Sequence, residues 1–272
     1  MRSSFLSFSA ALALAIFVNS SAYGVPTVYE DFTTDTDGYW AGSGNRGAAG
    51  VNNYGWSDSD NTGNAVAAPG GGVTAGGELG GFLQRGPSSG DYGFPTGNLD
   101  PLVDVLHADG VYTHVSGSGN MYVGFYNQAT HGTGGGDPRN MIGIQFDDGT
   151  GVLVHLARDD NNQREHGGPV HIAANTTIKW SIDYDPVAET GDFVVDGTAY
   201  QVPEGAGYFG DGVGPTIFDR FGIWSVDVAD SVGESYWDDI TFSSNNPIPE
   251  PSAVILLLCG ALALVGARRG PV

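Results

Sequence analysis

Residues 179–186 read KWSIDYDP, and residues 191–197 read GDFVVDG. In the first stretch Trp180, Ile182 and Tyr184 alternate with polar residues, and a period of two is the pattern of a β-strand with one buried face. The second stretch ends in Asp196-Gly197, where glycine supplies the positive φ of a tight hairpin turn. We therefore predict two neighbouring strands followed by a hairpin.

The same alternation recurs along much of the chain. Clusters of Gly, Asp, Asn and Pro separate the apolar runs, and the 44 glycines are about twice the usual share. The predicted strands are 27–32, 79–84, 110–116, 120–126, 141–147, 151–157, 170–173, 177–184, 192–196, 199–202, 218–226 and 236–242. Many short strands with polar turns are typical of an all-β sandwich or barrel.

Two segments depart from this pattern. Residues 100–106 suggest one short helix, whereas residues 42–77 are rich in Gly, Ala and Asn and predict long loops across one rim. Residues 25–246 are long enough to bury one sizeable core, and large all-β domains often reach this length. We therefore predict a single domain over residues 25–246.

Two regions resemble concanavalin A-like and laminin-G-like domains. One is the strand pair quoted above, and the other combines FGIW at residues 221–224 with YWDDITF at residues 236–242, which is similar to the closing strands of those domains. The resemblance implies an antiparallel jelly-roll β-sandwich. Because lectins, adhesion modules and glycanases share this fold, it implies no particular activity.

The carboxy-terminal region, residues 247–272, carries a different pattern. Pro249-Glu250-Pro251 precede an uncharged apolar run over residues 252–267, and Arg268-Arg269 follow it. As a helix the run reaches about 24 Å, short of the ~30 Å hydrocarbon core, so we predict a marginal transmembrane helix with its basic end in the cytoplasm. A buried core helix is the alternative.

This order of parts resembles the sorting signal of PEP-CTERM proteins. The resemblance implies an exosortase-type enzyme as a processing partner, anchoring in the membrane through the C-terminal helix, and bacteria rich in exopolysaccharide. The residues of the signal are Pro249, Glu250, Pro251, Arg268 and Arg269. Whether the tail is cleaved in the mature protein stays open.

The amino-terminal residues 1–22 have the organisation of a secretory signal peptide. Arg2 is followed by an apolar stretch over residues 5–18 and by small residues before Ala22. Cleavage after Ala22 is the first choice and cleavage after Gly24 the second, with a retained anchor as the alternative. We therefore predict a secreted protein, and the PEP-CTERM resemblance implies export through the inner membrane of a bacterium to the cell surface or extracellular matrix.

Charge and cysteine content exclude some functions. The net charge is −21, and a protein that binds nucleic acid needs clustered Lys and Arg to neutralise phosphates. We therefore predict no nucleic-acid partner. The single cysteine, Cys259, lies in the apolar run, so no disulfide is predicted within the body.

Two carboxylates suggest a metal site. By strict alternation Glu30 shares a face with Val28 and Phe32, and Asp238 shares a face with Ile240 and Phe242. A buried carboxylate needs a cation, an arginine or amide donors, and oxygen ligands suit Ca²⁺. Some carbohydrate-binding jelly rolls hold a structural calcium between their terminal strands, which this pair resembles. We predict calcium at Glu30 and Asp238, with loop capping or an arginine partner as the alternative.

Candidate ligand-binding residues are aromatic. Trp40 and Trp56 stand among loop-type residues and could stack on pyranose rings, whereas Tyr122, Phe125 and Tyr126 alternate like core residues. Catalytic patterns are weak. A glycanase of this fold would show several carboxylates alternating on one strand, as in Glu-x-Asp-x-x-Glu, and the nearest approach is Asp183 with Asp185, which suits a strand end.

The sequence thus predicts a surface-anchored, non-catalytic β-sandwich. Its expected role is structural or carbohydrate binding, with an extracellular polysaccharide as the partner. The alternative is a secreted glycan-cleaving enzyme on a concanavalin A-like scaffold, and a purely structural matrix protein is a third hypothesis.

Overall fold

Two antiparallel β-sheets make up the computed structural model, which describes residues 27–32, 54–57, 78–82, 90–116, 121–131, 139–147, 151–158, 160, 162–168, 172–203, 208–212, 214, 216–225 and 234–245. The large sheet consists of β1 (Thr27–Glu30), β2 (Tyr54–Ser57), β3 (Glu78–Phe82), β5 (Leu106–Ser116), β10 (Thr176–Asp185), β11 (Thr190–Val195), β12 (Thr198–Pro203) and β14 (Glu234–Ser244). The small sheet consists of β4 (Gly90–Leu99), β6 (Met121–Tyr126), β7 (Met141–Asp147), β8 (Gly151–Ala157), β9 (Gln163–Gly168) and β13 (Phe218–Ser225).

Both sheets mix strands that are far apart in the chain. The large sheet has the order β12-β11-β10-β5-β14-β3-β2, and β1 also pairs with β14. The small sheet has the order β4-β13-β6-β7-β8-β9. The last two strands, β13 and β14, lie in different sheets and both occupy interior positions.

One hydrophobic core lies between the sheets. In β10 the alternation predicted from the sequence is confirmed, since Ile178, Trp180, Ile182 and Tyr184 are buried and the residues between them are more exposed. Aromatic rings join the two layers. Tyr112 of the large sheet stacks on Phe146 of the small sheet at 4.2 Å between centroids, and Phe242 stacks on Phe221 at 4.4 Å.

The predicted hairpin is also confirmed. Val195 of β11 lies opposite Thr198 of β12, which leaves Asp196 and Gly197 as the two turn residues. Their φ angles are 48° and 75°, the positive values that a type I′ turn requires.

Three sequence predictions of local structure are wrong, and two strands were missed. Strand β2 lies inside the region 42–77 that was predicted as loops, and the segment 100–106 forms a turn followed by the start of β5 instead of a helix. A strand was predicted over residues 170–173, but residues 172 and 173 lie outside any strand. Strands β4 and β9 were not predicted at all.

The turn at residues 100–104 has a local cause. The Asp100 carboxylate accepts the Leu102 N–H at 2.9 Å, and the Asp104 carboxylate accepts the Asp100 N–H at 2.7 Å. Aspartate side chains that bond the local backbone compete with helix formation, so the chain makes one turn and then enters β5.

Several predicted features lie outside the described residues. They are the signal peptide over residues 1–22, the tail over residues 247–272 with Pro249, Glu250, Pro251, Arg268 and Arg269, and the candidate ligand residue Trp40. Among the described residues, no helix has the length and apolar character needed to cross a membrane.

Candidate functional site

A row of polar side chains crosses the outer face of the large sheet. Asp183 on β10 lies opposite His107 on β5 and opposite Asp192 on β11, and Asp192 lies opposite Gln201 on β12. These positions alternate with core residues such as Ile182 and Phe193, so they lie on the face away from the core. We call His107, Asp183, Asp192 and Gln201 the polar row.

His107 lies between two carboxylates. Its Nδ1 is 2.6 Å from Asp183 Oδ1, and its Nε2 is 3.1 Å from Asp109 Oδ2. Partial burial opposes protonation, but the hydrogen bonds to Asp183 and Asp109 and their negative charges raise the pKa of His107 above its ordinary value of 6.5. The imidazole side chain is 41% exposed, so solvent and a ligand can both reach it.

A cleft of about 150 Å³ adjoins the polar row. The residues that line it are Val105, Leu106, Asp183, Tyr184, Asp185 and Asp192. Gln201 Nε2 donates to Asp192 Oδ1 at 2.7 Å, and the Val187 N–H donates to Asp185 at 2.8 Å. The side chains of Leu106 and Tyr184 are buried in the core, so the cleft places oriented polar groups beside the exposed side chain of Val105.

An exposed aromatic ring marks the β1 side of the same face. Tyr29 is 58% exposed, and its hydroxyl donates to Asp239 Oδ1 at 2.9 Å. That hydrogen bond, with some burial and the nearby acidic charges, raises the pKa of Tyr29 to about 12. In register, Asp109 pairs with Thr241 and Thr241 with Tyr29, so the backbone of Tyr29 lies two strands, about 10 Å, from that of Asp109.

A β-bulge in β14 decides which side Asp238 faces. Asp238 pairs with Val111 and Thr241 pairs with Asp109, so two residues, Asp239 and Ile240, lie opposite the single Gly110. Asp239 has a φ of 49°, the left-handed geometry found at the first position of such bulges. The extra residue breaks the alternation.

The prediction that Asp238 shares a face with Ile240 and Phe242 is therefore wrong. Ile240 and Phe242 belong to the inter-sheet core, whereas Asp238 aligns with Val111 in the outer-face register of β5. Glu30 pairs with Ile240 on the core side, as predicted.

The pairing of the first and last strands is confirmed, and both carboxylates are buried, at 6% exposure for Glu30 and 0% for Asp238. Backbone amides donate to them. The Phe32 N–H lies 3.0 Å from Glu30 Oε1, and the Asp239 N–H lies 2.8 Å from Asp238 Oδ1. No group of three or more His, Cys, Asp or Glu residues within the described part of the chain could hold a metal ion. Calcium at Glu30 and Asp238 stays a prediction.

The predicted aromatic residues have different environments. Trp56 lies in β2, opposite Leu79 of β3, and its role in ligand binding stays a prediction. Tyr122, Phe125 and Tyr126 are buried, as predicted. Phe125 lies in the inter-sheet core, whereas Tyr122 and Tyr126 belong to a second cluster.

This second cluster lies on the other face of the small sheet. Trp224 lies 5.5 Å from the Tyr122 ring and 4.6 Å from the Tyr126 ring. Beside them, His155 Nε2 lies 2.8 Å from Gln145 Oε1. All these side chains are almost completely buried, so we assign them a packing role.

Sequence reasoning did not find the polar row, although part of its signal was visible. His107 and Asp109 have the spacing of a strand face, as do Asp183 and Asp185. However, His107 and Asp183 are 76 positions apart, and nothing in the sequence shows that β5 and β10 are neighbours.

Sequence comparisons do not place the chain in a family. No family model matches it, and no curated protein matches it.

Solved structures identify its fold. A lectin, UEA-II in complex with galactose, superposes with a TM-score of 0.53 at 9% identity over 82% of this chain and 100% of the lectin. The chain has a lectin-like jelly-roll fold. A protein of unknown function from Shewanella oneidensis MR-1 superposes with a TM-score of 0.51 at 14% identity, over 90% of this chain and 96% of that one.

The concanavalin A-like resemblance is thus confirmed for the fold. An alginate lyase from Alteromonas sp. 272 superposes with a TM-score of 0.38 at 9% identity, over 57% of this chain and 78% of the lyase. This similarity is too low to support an argument about activity.

Proposed function

We propose that this protein is a non-catalytic β-sandwich that contacts polysaccharide through the outer face of its large sheet. The polar row beside the cleft is the observation that carries the proposal. Carboxylate and amide side chains in one row can accept and donate hydrogen bonds to successive sugar hydroxyls. The exposed ring of Tyr29, held by Asp239, offers a flat apolar surface for a pyranose ring.

The charge of this face disfavours acidic glycans. Asp109 and Asp183 contact the imidazole of His107, and Asp185 and Asp192 line the adjoining cleft, so the local charge is negative even when His107 is protonated. The potential would repel uronic-acid or sulfated polymers and accommodate neutral or cationic ones. We therefore propose a neutral polysaccharide or an N-deacetylated amino-sugar polymer as the partner.

The proposed location follows from the two ends of the chain. A signal peptide over residues 1–22 would export the body through the inner membrane, and the PEP-CTERM-like tail over residues 247–272 would anchor it until an exosortase acts. The acidic, cysteine-free body suits an extracellular matrix, because its net charge keeps it soluble and it depends on no disulfide. A structural Ca²⁺ at Glu30 and Asp238 is a further part of this proposal.

A retention assay tests the glycan contact. The protein is passed over immobilised neutral glucan, N-deacetylated chitin and polyuronate at low and moderate salt. We expect retention on one of the first two and none on polyuronate. The double variant Asp183→Asn/Asp192→Asn should reduce retention at least tenfold, about 1.4 kcal/mol, which is close to the loss of one hydrogen bond to a charged group.

Control variants distinguish the polar row from other possible contact sites. Glu165→Gln removes an exposed acid on β9 of the small sheet and should leave retention unchanged. Trp40→Ala and Trp56→Ala test the aromatic residues predicted from the sequence. If these two variants lose retention while the Asp183/Asp192 variant keeps it, the polar row is not the contact site.

A glycan-cleaving enzyme is the second candidate function. The arrangement that favours it is His107, whose two ring nitrogens each face a carboxylate within hydrogen-bonding distance, as in groups that transfer protons. The retention assay therefore includes measurement of new reducing ends. Cleavage that disappears in His107→Gln would show an enzyme, whereas neither retention nor cleavage would favour a purely structural matrix protein.

A further inference from the structure

Exposed apolar side chains concentrate at one end of the sandwich. Leu102, Val103, Val105 and Val187 are between 42% and 90% exposed. Within the described part of the chain, six large apolar side chains are exposed, and these four are the majority. A concentration of exposed apolar groups usually marks a surface that another molecule covers.

The strand register places these residues together. Leu106, the first residue of β5, pairs with Tyr184 near the end of β10 and with Ser244 at the end of β14. Residues 102–105 directly precede β5, and Val187 lies in the turn that follows β10. We call this end of the sandwich, with Leu102, Val103, Val105 and Val187, the exit end.

The chain leaves the described fold at the same place. The Asn245 N–H donates to the Val105 carbonyl at 3.3 Å, and the Val105 N–H donates to Asn245 Oδ1 at 3.0 Å. Asn245 Nδ2 also donates to the Val103 carbonyl at 3.2 Å. These bonds fix the last described residue against the exposed apolar turn.

The residues that follow Asn245 are few enough to hold the exit end close to a membrane. The apolar run begins at Ser252, seven residues after Asn245, and Pro247, Pro249 and Pro251 lie between them. A proline-rich segment extends about 3.1 Å per residue, so the exit end lies within roughly 22 Å of the start of the run. A tether this short gives the exit end a high effective concentration at the surface in which the run is inserted.

We propose that the exit end lies against the bilayer, with Leu102, Val103, Val105 and Val187 in the interfacial region, while residues 252–267 span the membrane. The proposal depends on membrane insertion of the tail. Val105 also lines the cleft beside the polar row, so the glycan contact and the lipid contact would lie next to each other and share this residue. The carboxylates of Asp100 and Asp185 flank the apolar side chains, so a zwitterionic phospholipid suits this surface better than an anionic one.

The strand direction then fixes the orientation of the body. Strand β10 runs from Thr176 to the exit end at Asp185, and its ten residues span about 33 Å. Ala173, just before β10, therefore lies at the opposite end of the sandwich. The exit end would contact the lipid, and the opposite end would point away from it.

Depth-dependent quenching tests this arrangement. The full chain carrying Cys259→Ala receives a single cysteine, either Val103→Cys or Ala173→Cys, and each is labelled with an environment-sensitive dye. Both proteins are inserted into phosphatidylcholine vesicles with and without brominated acyl chains, and insertion is verified by flotation. We expect bromolipid to quench the dye at position 103 severalfold more than the dye at position 173.

A second pair of variants separates specific contact from an effect of the dye. Leu102→Ser/Val187→Ser should at least halve the quenching at position 103. Val194→Ser removes an exposed valine on the outer face of β11, and it should leave the quenching unchanged.

Three results would overturn the proposal. They are equal quenching at both positions in floated vesicles, failure of the full chain to float, and a shielded position 103 that bromolipid does not quench. The third result, together with cross-links between copies of Val103→Cys, would identify a second copy of this chain as the occupant of the exit end.

Discussion

The ion cluster at His107 makes the stability of the fold depend on pH. The carboxylates of Asp183 and Asp109 raise the pKa of His107 in the folded state above its ordinary value of 6.5. The stabilisation is therefore fully present below about pH 6.5 and is lost as the pH rises through the raised folded pKa. The perturbation is His107→Gln, which keeps a side chain that can donate a hydrogen bond but removes the titratable charge.

The expected stabilisation by the cluster follows from its geometry. Two contacts of 2.6 and 3.1 Å join His107 to its partners, but the three side chains are between 41% and 59% exposed, so water screens both pairs. Pairs of this kind contribute ~0.2–1 kcal/mol each, and we expect about 1 kcal/mol for the cluster. For a domain of this size that is a shift of about 2–4 °C in Tm.

The assay is a set of thermal melts between pH 5 and pH 9. Other groups also titrate in this range, so the measured quantity is the difference in Tm between the parent protein and His107→Gln at each pH. We expect the parent to be more stable by about 2–4 °C at pH 5.5 and the difference to disappear at pH 9.

Ser181→Ala is the matched control, because Ser181 lies on β10, the strand of Asp183, and pairs with Asp109 but carries no charge. It should reproduce the pH profile of the parent. A pH-independent difference between the parent and His107→Gln would refute the assignment of a charged cluster. A His107 resonance that titrates below pH 6.5 would refute it directly.

Three further predictions concern other parts of the molecule. Gly197→Ala places a Cβ at a φ of 75° in the β11–β12 turn and should lower the free energy of unfolding by about 1–2 kcal/mol in urea, whereas Asp196→Gly should leave it unchanged. If calcium binds at Glu30 and Asp238, a chelator should lower the Tm of residues 25–246, and an unchanged transition would eliminate calcium as a contributor to folding. A reporter fused upstream of Pro247 should fractionate with membranes or the exterior, and recovery in the cytosol would contradict the export proposal.

Sequence patterns were most informative where apolar and polar residues alternate beside a strong turn. Strands β7 and β8 have the predicted bounds of 141–147 and 151–157, because their apolar runs flank Asp148-Gly149. Strand β9 escaped prediction because it is an edge strand whose side chains at 164–167 are exposed and mostly polar. Strand β4 contains Pro95 and several glycines, which an edge strand tolerates but which resemble a loop in sequence.

The candidate site was harder to predict than the fold. The start of β5 was placed at 110 instead of 106, because His107 and Asp109 read as polar loop residues when their partner on β10 is unknown. The bulge at Asp239 was also invisible, since the first position of such a bulge is usually marked by glycine. That one residue reversed the predicted face of Asp238.

The bulge has a consequence for how this fold can change over evolution. Gly110 faces the two residues Asp239 and Ile240, and a Cβ added to Gly110 would lie 2.7 Å from the Trp180 ring. Deleting Asp239 would restore a regular ladder but would turn either Trp237 or the Ile240–Phe242 segment away from the interior. Descendants of this sequence should therefore keep the insertion and the small residue opposite it, which makes the pair a marker of shared ancestry when overall identity has fallen too low to detect.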